Sequence, residues 1–177
     1  MQLTELVNWS MVLGTFFIHI LTIVLLVVWF SGKKDFFVFK ILRDRGMMFA
    51  YLLSIAGLLG SLYYSEIVGY APCVLCWYQR IFMYSNVFIL GLALYKGGDK
   101  NVIPYAKCLA IVGGLVSIYH NALFLPFLKN VNTTCSPFSN VSCTENYFTA
   151  LGYINIPVIA LTSFVAIVVL LNFANKK

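Results

Sequence analysis

Long unbroken apolar runs dominate the pattern of this chain, with little of the alternation that marks half-buried strands or the one-sided periodicity of surface helices. The first extends from Trp9 to Phe30, 22 positions without a charged side chain, and ends at Ser31-Gly32-Lys33-Lys34. Four more follow, from about Met47 to Val68, Trp77 to Tyr95, Ile103 to Phe124 and Ile156 to Phe173. A helix needs roughly 20 such residues to cross the hydrocarbon core of a bilayer. Backbone groups in lipid must bond within their own segment, so the runs predict helices. The expected fold is an all-α membrane protein with five spans joined by short loops. Those loops are too short to hold an independent soluble domain.

Composition agrees: 61% of the residues are hydrophobic and 10% charged, against about 25% charged in an ordinary soluble domain. The first run does not read as a cleavable signal peptide, because Glu5 precedes it without any Lys or Arg and no small-residue cleavage site follows. Short cytoplasmic loops carry the excess of Lys and Arg. Lys33, Lys34, Lys40, Arg43, Arg45, Lys96, Lys100, Lys107, Lys176 and Lys177 fall at one membrane face, leaving only Arg80 and Lys129 at the other. The amino terminus and the loops around 69–76 and 125–155 are therefore expected to face out of the cytoplasm. The net charge of +6 reports this topology. No folded module gathers the basic residues, so a nucleic-acid partner is not expected. Small residues at helical spacing, Gly57 with Ser61 and Gly113 with Ser117, read as sites of close helix packing.

The cysteines carry most of the functional information. Four of the five lie in the predicted outer loops: Cys73 and Cys76 as Cys-Val-Leu-Cys, then Cys135 and Cys143. Cys108 lies in the fourth span, where a free thiol acts as a small apolar residue. An even number of extracytoplasmic cysteines suggests disulfides. They can staple loops or exchange electrons, and a two-residue spacing suits exchange because the ring is short and one thiolate is readily stabilised. Pro72 suits the first turn of a helix, which places the first pair at the amino-terminal end of the third span, where amide groups stabilise a thiolate. Arg80, four residues after Cys76, shares its helical face and adds a permanent positive charge. These features predict a low-pKa thiolate at Cys76. His120 is expected near the outer end of the fourth span, at about the depth of Arg80. His19 and Asn86 are polar residues in apolar spans that are expected to face partner helices.

The stretch Pro72-Cys73-Val74-Leu75-Cys76-Trp77-Tyr78-Gln79-Arg80, with Tyr119-His120, the second cysteine pair and Phe148 through Pro157, resembles the DsbB/BdbC family of membrane thiol:quinone oxidoreductases. The resemblance covers about residues 48–175. It implies a four-helix transmembrane bundle over residues 47–177, with residues 1–46 forming an additional amino-terminal transmembrane helix and cytoplasmic loop. It further implies a bound quinone, ubiquinone or menaquinone, and a partner of the DsbA-like thioredoxin fold that is reoxidised outside the cytoplasmic membrane of a bacterium. By position, Cys135 would form the mixed disulfide with the partner and Cys143 would pass oxidation on from the inner pair. Cys73 would exchange with Cys143, Cys76 would face the quinone, and Arg80 and His120 would lie beside it. The family's late-CxxC relatives, exemplified by vitamin K epoxide reductase, place their active pair near the last helix, whereas here it precedes the third span.

This chain departs from the family pattern in its extra first span and in the seven residues between Cys135 and Cys143, which place it with the compact, short-loop branch. A different class of function is a structural multi-spanning protein with permanent outer-loop disulfides; a staple across 135–143 is worth about 2.6 kcal/mol on the chain-entropy estimate. Metal binding is disfavoured, because two thiolates need further ligands and only the other outer loop and His120 offer them.

Overall fold

Each apolar run folds as one helix in a computed structural model, which describes residues 2–30, 37–125, 142–144, 147 and 149–175. Helix α1 is Gln2–Phe30, α2 Phe37–Leu62, α3 Val74–Tyr95, α4 Ile103–Ala122 and α5 Ile156–Ala174. Their ends follow local chemistry. α2 widens into a π-helical turn at Tyr63–Ile67, a local feature often found beside functional sites. α3 ends before Gly97 and Gly98, both at φ near 87°, a left-handed conformation open to glycine. α5 starts at Asn155, whose Oδ1 accepts from the Val158 amide at 3.0 Å, with proline in its first turn.

Helices α2, α3, α4 and α5 form a closed ring in that order, with α5 also against α2, and α1 packs outside the ring against α5. Contact is close where side chains are smallest. A Cβ on Gly46 would lie 2.8 Å from the Leu170 carbonyl oxygen, and one on Gly113 would collide with the Phe164 ring. Without a hydrophobic drive between helices in lipid, such approach supplies the packing energy. A buried stripe of Val12, Thr15 and Thr22 sets α1 against the bundle. His19 on the same side meets Thr162 of α5, Nε2 to Oγ1, at 2.6 Å. The Thr162 hydroxyl already donates to the Val158 carbonyl, so His19 is the donor. The packing role expected of His19 is thus met.

Among the described residues, four helices are long and apolar enough to cross a membrane by length and composition: those over Thr4–Val27, Lys40–Ile67, Lys100–Ala122 and Ile156–Ala174. α3, read above as a fifth span, has the length, at 22 residues, but not the hydropathy. Its polar residues Gln79, Arg80 and Asn86 are buried in the bundle, while Ile81, Phe88 and Leu92 point outward. α3 is an inside-out helix enclosed by its neighbours on its polar side. Lys107 reaches from α4 to the Asn172 Oδ1 of α5 at the end of the bundle opposite Cys73 and Cys76. Cys108 is exposed on the outer face of α4, so it fills no space in the core.

A thiol, histidine and arginine site at the head of α3

The site begins with a helix cap. Cys73 has extended backbone geometry, φ −70° and ψ 169°, and its Sγ accepts from the Cys76 amide at 3.4 Å. A sulfur thus takes the place usually filled by a Ser or Asp oxygen. Pro72 consequently precedes the cap and does not enter the first helical turn. The Cys73 and Cys76 sulfurs lie 3.2 Å apart, and Cys73 is buried, with 4% exposure. Its thiol is held well below the ordinary range, at about 4. The largest cause is hydrogen bonding from the Cys76 thiol; His120 and the Cys76 amide add to it, and burial opposes it. The expectation of a helix-stabilised thiolate at Cys76 is corrected here. The capping position falls one turn earlier, so the amide groups and the neighbouring thiol serve Cys73.

His120, at the end of α4 and 3% exposed, links three parts of the chain. Its Nε2 is 3.9 Å from the Cys73 sulfur and 3.0 Å from the carbonyl oxygen of Cys143. Its Nδ1 is 3.3 Å from the Gln79 Nε2 of α3. Cys143 is disulfide-bonded, while Cys73, Cys76 and Cys108 carry free thiols. Cys143 packs with Cys73, Leu75 and Leu123 in one small buried cluster. The outer segment is also tied down by Tyr147, whose hydroxyl donates to the Ala71 carbonyl at 2.9 Å and whose ring stacks on Tyr70 at 4.4 Å. Cys135, the remaining residue of the predicted relay, lies outside the described residues. Among the described residues, Cys73, Cys76 and His120 also form a trio whose donor atoms lie within 4.8 Å of one another.

Beneath this cluster runs a cavity of about 140 Å³. It reaches from Cys73, Cys76, His120 and Cys143 down past Arg80 to Tyr84 and Phe164, between apolar walls that include Gly57, Met83, Ile159 and Ala160. Arg80 is 8% exposed. Its Nε donates to the Ser61 hydroxyl at 2.7 Å, its Nη2 to the Ser61 carbonyl at 3.0 Å, and its guanidinium lies 5.2 Å from the Trp77 ring centre. Among the described residues no carboxylate pairs with it; the ion pair found there is Arg43 with Asp44. Ser61, read from spacing as a packing residue, is the anchor of this cation. Gly57 keeps its packing role, lying close to Met83.

The structure thus gathers five of the six expected site residues, Cys73, Cys76, Arg80, His120 and Cys143, around one cavity. Sequence pattern does not single out two further residues there. Gln79 carries only the signal of a polar residue next to Arg80 in a buried helix. Tyr84 carries none, yet its hydroxyl is buried at the cavity and hydrogen-bonds to nothing in the described residues. Met11 brings α1 to the cavity wall as well.

Comparison with known proteins places this arrangement. Residues 43–174 match the family model described as disulfide bond formation protein DsbB. A probable disulfide formation protein C of Halalkalibacterium halodurans is 42% identical over 122 residues, 68% of this chain and 86% of the relative. The disulfide bond formation protein C of Bacillus subtilis is 39% identical over 121 residues, covering 68% and 85% of the two chains. A probable disulfide formation protein of Chlamydia muridarum is 39% identical over 137 residues, covering 77% and 97%. No solved structure gives a significant match. This multi-pass membrane bundle, with paired cysteines at the head of a buried polar helix, is thus similar to proteins named for disulfide formation, and the chain belongs to the DsbB family.

Proposed function

We propose that this chain is a thiol:quinone oxidoreductase that reoxidises a DsbA-like thioredoxin-fold partner on the extracytoplasmic side of a bacterial inner membrane and so sustains disulfide formation in exported proteins. The observation that carries this reading is the stacking of three elements: the buried Cys143 segment, the Cys73–Cys76 pair beneath it, and an apolar cavity beneath that.

In the proposed relay the resting chain holds two disulfides, Cys135–Cys143 and Cys73–Cys76. A thiolate of the partner's dithiol attacks Cys135, and Cys143 leaves as a thiolate. Cys143 then attacks Cys73, and Cys76 leaves. The partner's second thiol attacks its own sulfur in the mixed disulfide, which frees Cys135 and leaves the partner oxidised. Cys135 attacks Cys143, restoring the outer disulfide and expelling Cys73. Two electrons and two protons have passed from the partner to the inner pair. A sulfur of low pKa leaves faster, so the capped Cys73 is suited to this expulsion.

A bound quinone supplies the acceptor for those two electrons and two protons. The cavity's own residues support a fit to such a group. Its walls are apolar, and a carbonyl-bearing ring offers acceptors to the buried Tyr84 hydroxyl, which has no hydrogen-bond partner among the described residues, and to the Arg80 guanidinium, which has no carboxylate partner among them. Burying a donor unpaired is costly, and both groups line the space such a ring would occupy. The boundary expected at residue 47 moves, because α2 begins at Phe37: residues 37–177 are proposed as the catalytic bundle and residues 1–36 as the added segment that carries α1.

The test uses the full chain in liposomes with quinone and a thioredoxin-fold dithiol partner. Quinone absorbance should fall on adding reduced partner, and a partner lacking its second cysteine should accumulate a mixed disulfide with Cys135. Cys76→Ser should abolish quinone loss while leaving that mixed disulfide. Quinone loss that persists in Cys76→Ser would overturn the proposed electron path through Cys76, and no reaction in the unmodified chain would overturn the reading in favour of permanent structural disulfides.

A further inference from the structure

The hydrogen bonds around His120 restrict where its ring protons sit. Its Nε2 faces the Cys143 carbonyl oxygen at 3.0 Å, and a carbonyl only accepts, so Nε2 carries a hydrogen. Its Nδ1 faces the Gln79 amide nitrogen at 3.3 Å, and an amide nitrogen only donates, so Nδ1 presents a lone pair. The two partners belong to different elements, the outer segment and α3, and they demand the same tautomer independently. Moving the hydrogen to Nδ1 would set two donors against each other at one end of the ring and two lone pairs at the other. Both Gln79 and His120 are more than nine-tenths buried, so water is poorly placed to replace either bond.

We propose that Gln79 is a positioning residue: its side-chain amide faces the lone pair of His120 Nδ1 and so holds the ring hydrogen on Nε2, and that hydrogen clips the Cys143 segment over the Cys73 sulfur. Nε2 lies 3.0 Å from the Cys143 carbonyl oxygen and 3.9 Å from the Cys73 sulfur, so one ring holds the outer disulfide residue beside the inner thiol with which it would exchange. A nitrogen that bears a hydrogen has no lone pair for a metal. The trio of Cys73, Cys76 and His120 is accordingly a hydrogen-bonded thiol site in this form. The functional side of this inference rests on the relay proposed above, whereas the tautomer assignment does not.

The experiment is nitrogen-15 NMR of the full chain, labelled on histidine, in lipid nanodiscs. The sequence has two histidines, and His19→Asn identifies the signals of His120. In the unmodified chain, Nδ1 should show the shift of an unprotonated ring nitrogen and Nε2 that of a protonated one. Gln79→Leu removes the donor and should give a mixture of tautomers. Gln79→Glu, nearly isosteric, offers an acceptor in place of the donor and should bring a hydrogen onto Nδ1. A protonated Nδ1 in the unmodified chain overturns the assignment, as does an unchanged ring in both variants. If Gln79→Leu does not fold, the unmodified chain and Gln79→Glu still decide the matter.

A second measurement reads the clip itself. In a background of Cys76→Ser with Cys135→Ser, Cys73 and Cys143 remain as the two thiols of the site, and a mild oxidant joins them. Loss of one ordinary hydrogen bond predicts that Gln79→Leu slows this joining about three- to tenfold. An unchanged rate together with the predicted NMR shifts overturns the clip. Failure of the parent background to join Cys73 to Cys143 at all counts against the relay and leaves the tautomer standing.

Discussion

Arg80 is a buried cation in a bundle that supplies it no carboxylate among the described residues, and what orients it is one serine. Replacing Ser61 by alanine removes the bond from Nε to the hydroxyl, 2.7 Å long, but leaves the bond from Nη2 to the Ser61 backbone carbonyl, at 3.0 Å. A hydrogen bond involving a charged group contributes about 1.5–3 kcal/mol. Since 1.36 kcal/mol is a factor of ten, freeing one edge of the guanidinium should weaken its contribution to the reaction by about 10- to 150-fold. The deleted hydroxyl is small, so packing between α2 and α3 should change little. The assay is the rate of quinone reduction by a reduced thioredoxin-fold partner at limiting quinone, compared for Ser61→Ala, Ser61→Thr and Arg80→Met. Ser61→Thr keeps the hydroxyl and should stay near the unmodified rate, whereas Arg80→Met should be slower than Ser61→Ala. Unmodified kinetics in Ser61→Ala alongside a dead Arg80→Met would refute the anchoring argument. Unmodified kinetics in both would reduce Arg80 to a membrane anchor.

Three more outcomes follow from the same geometry. With its pKa lowered to about 4, the Cys73 sulfur of the reduced protein is ionised above that value and protonates only below it. Thiolate ultraviolet absorbance that depends on Cys73 should therefore persist from about pH 8 down to about pH 5, and a loss near the ordinary thiol value of about 8.5 would contradict the cap. Tyr84→Phe deletes a hydroxyl with no hydrogen-bond partner among the described residues, so helix content and Tm should hold while quinone affinity, read by equilibrium binding, falls about three- to tenfold; a lowered Tm would show that the hydroxyl serves the fold. Asn86 is fully buried with neither side-chain nitrogen nor oxygen hydrogen-bonded in the described residues. Exchanging it for leucine should relieve a penalty of about 1–3 kcal/mol and raise Tm, and a lower Tm would show that the amide has a partner such as internal water.

Most of the helices and the chemistry class were legible in the residues themselves. Lipid leaves the backbone no alternative to helices, so long apolar runs are enough to define α1, α2, α4 and α5, and the bias of Lys and Arg points the cysteine loops to one face. The Cys-Val-Leu-Cys spacing and the nearby Arg80 mark redox chemistry because proximity and charge along one helix follow from sequence distance. Features that depend on contacts between elements were not legible. Whether the cap fell on Cys73 or Cys76 was decided by where the backbone turned into α3, a boundary that hydropathy does not resolve. Ser61 became the holder of Arg80 because α2 lies beside α3, and a serine at helical spacing looks the same whether it packs or donates and accepts. His120 came to join Gln79, Cys73 and Cys143 only when α4 closed against α3 under the outer segment. Sequence distance governs what one helix carries, whereas the hydrogen-bond partners of a buried polar group come from whichever neighbour packing sets within about 3 Å, and that is a property of the folded bundle.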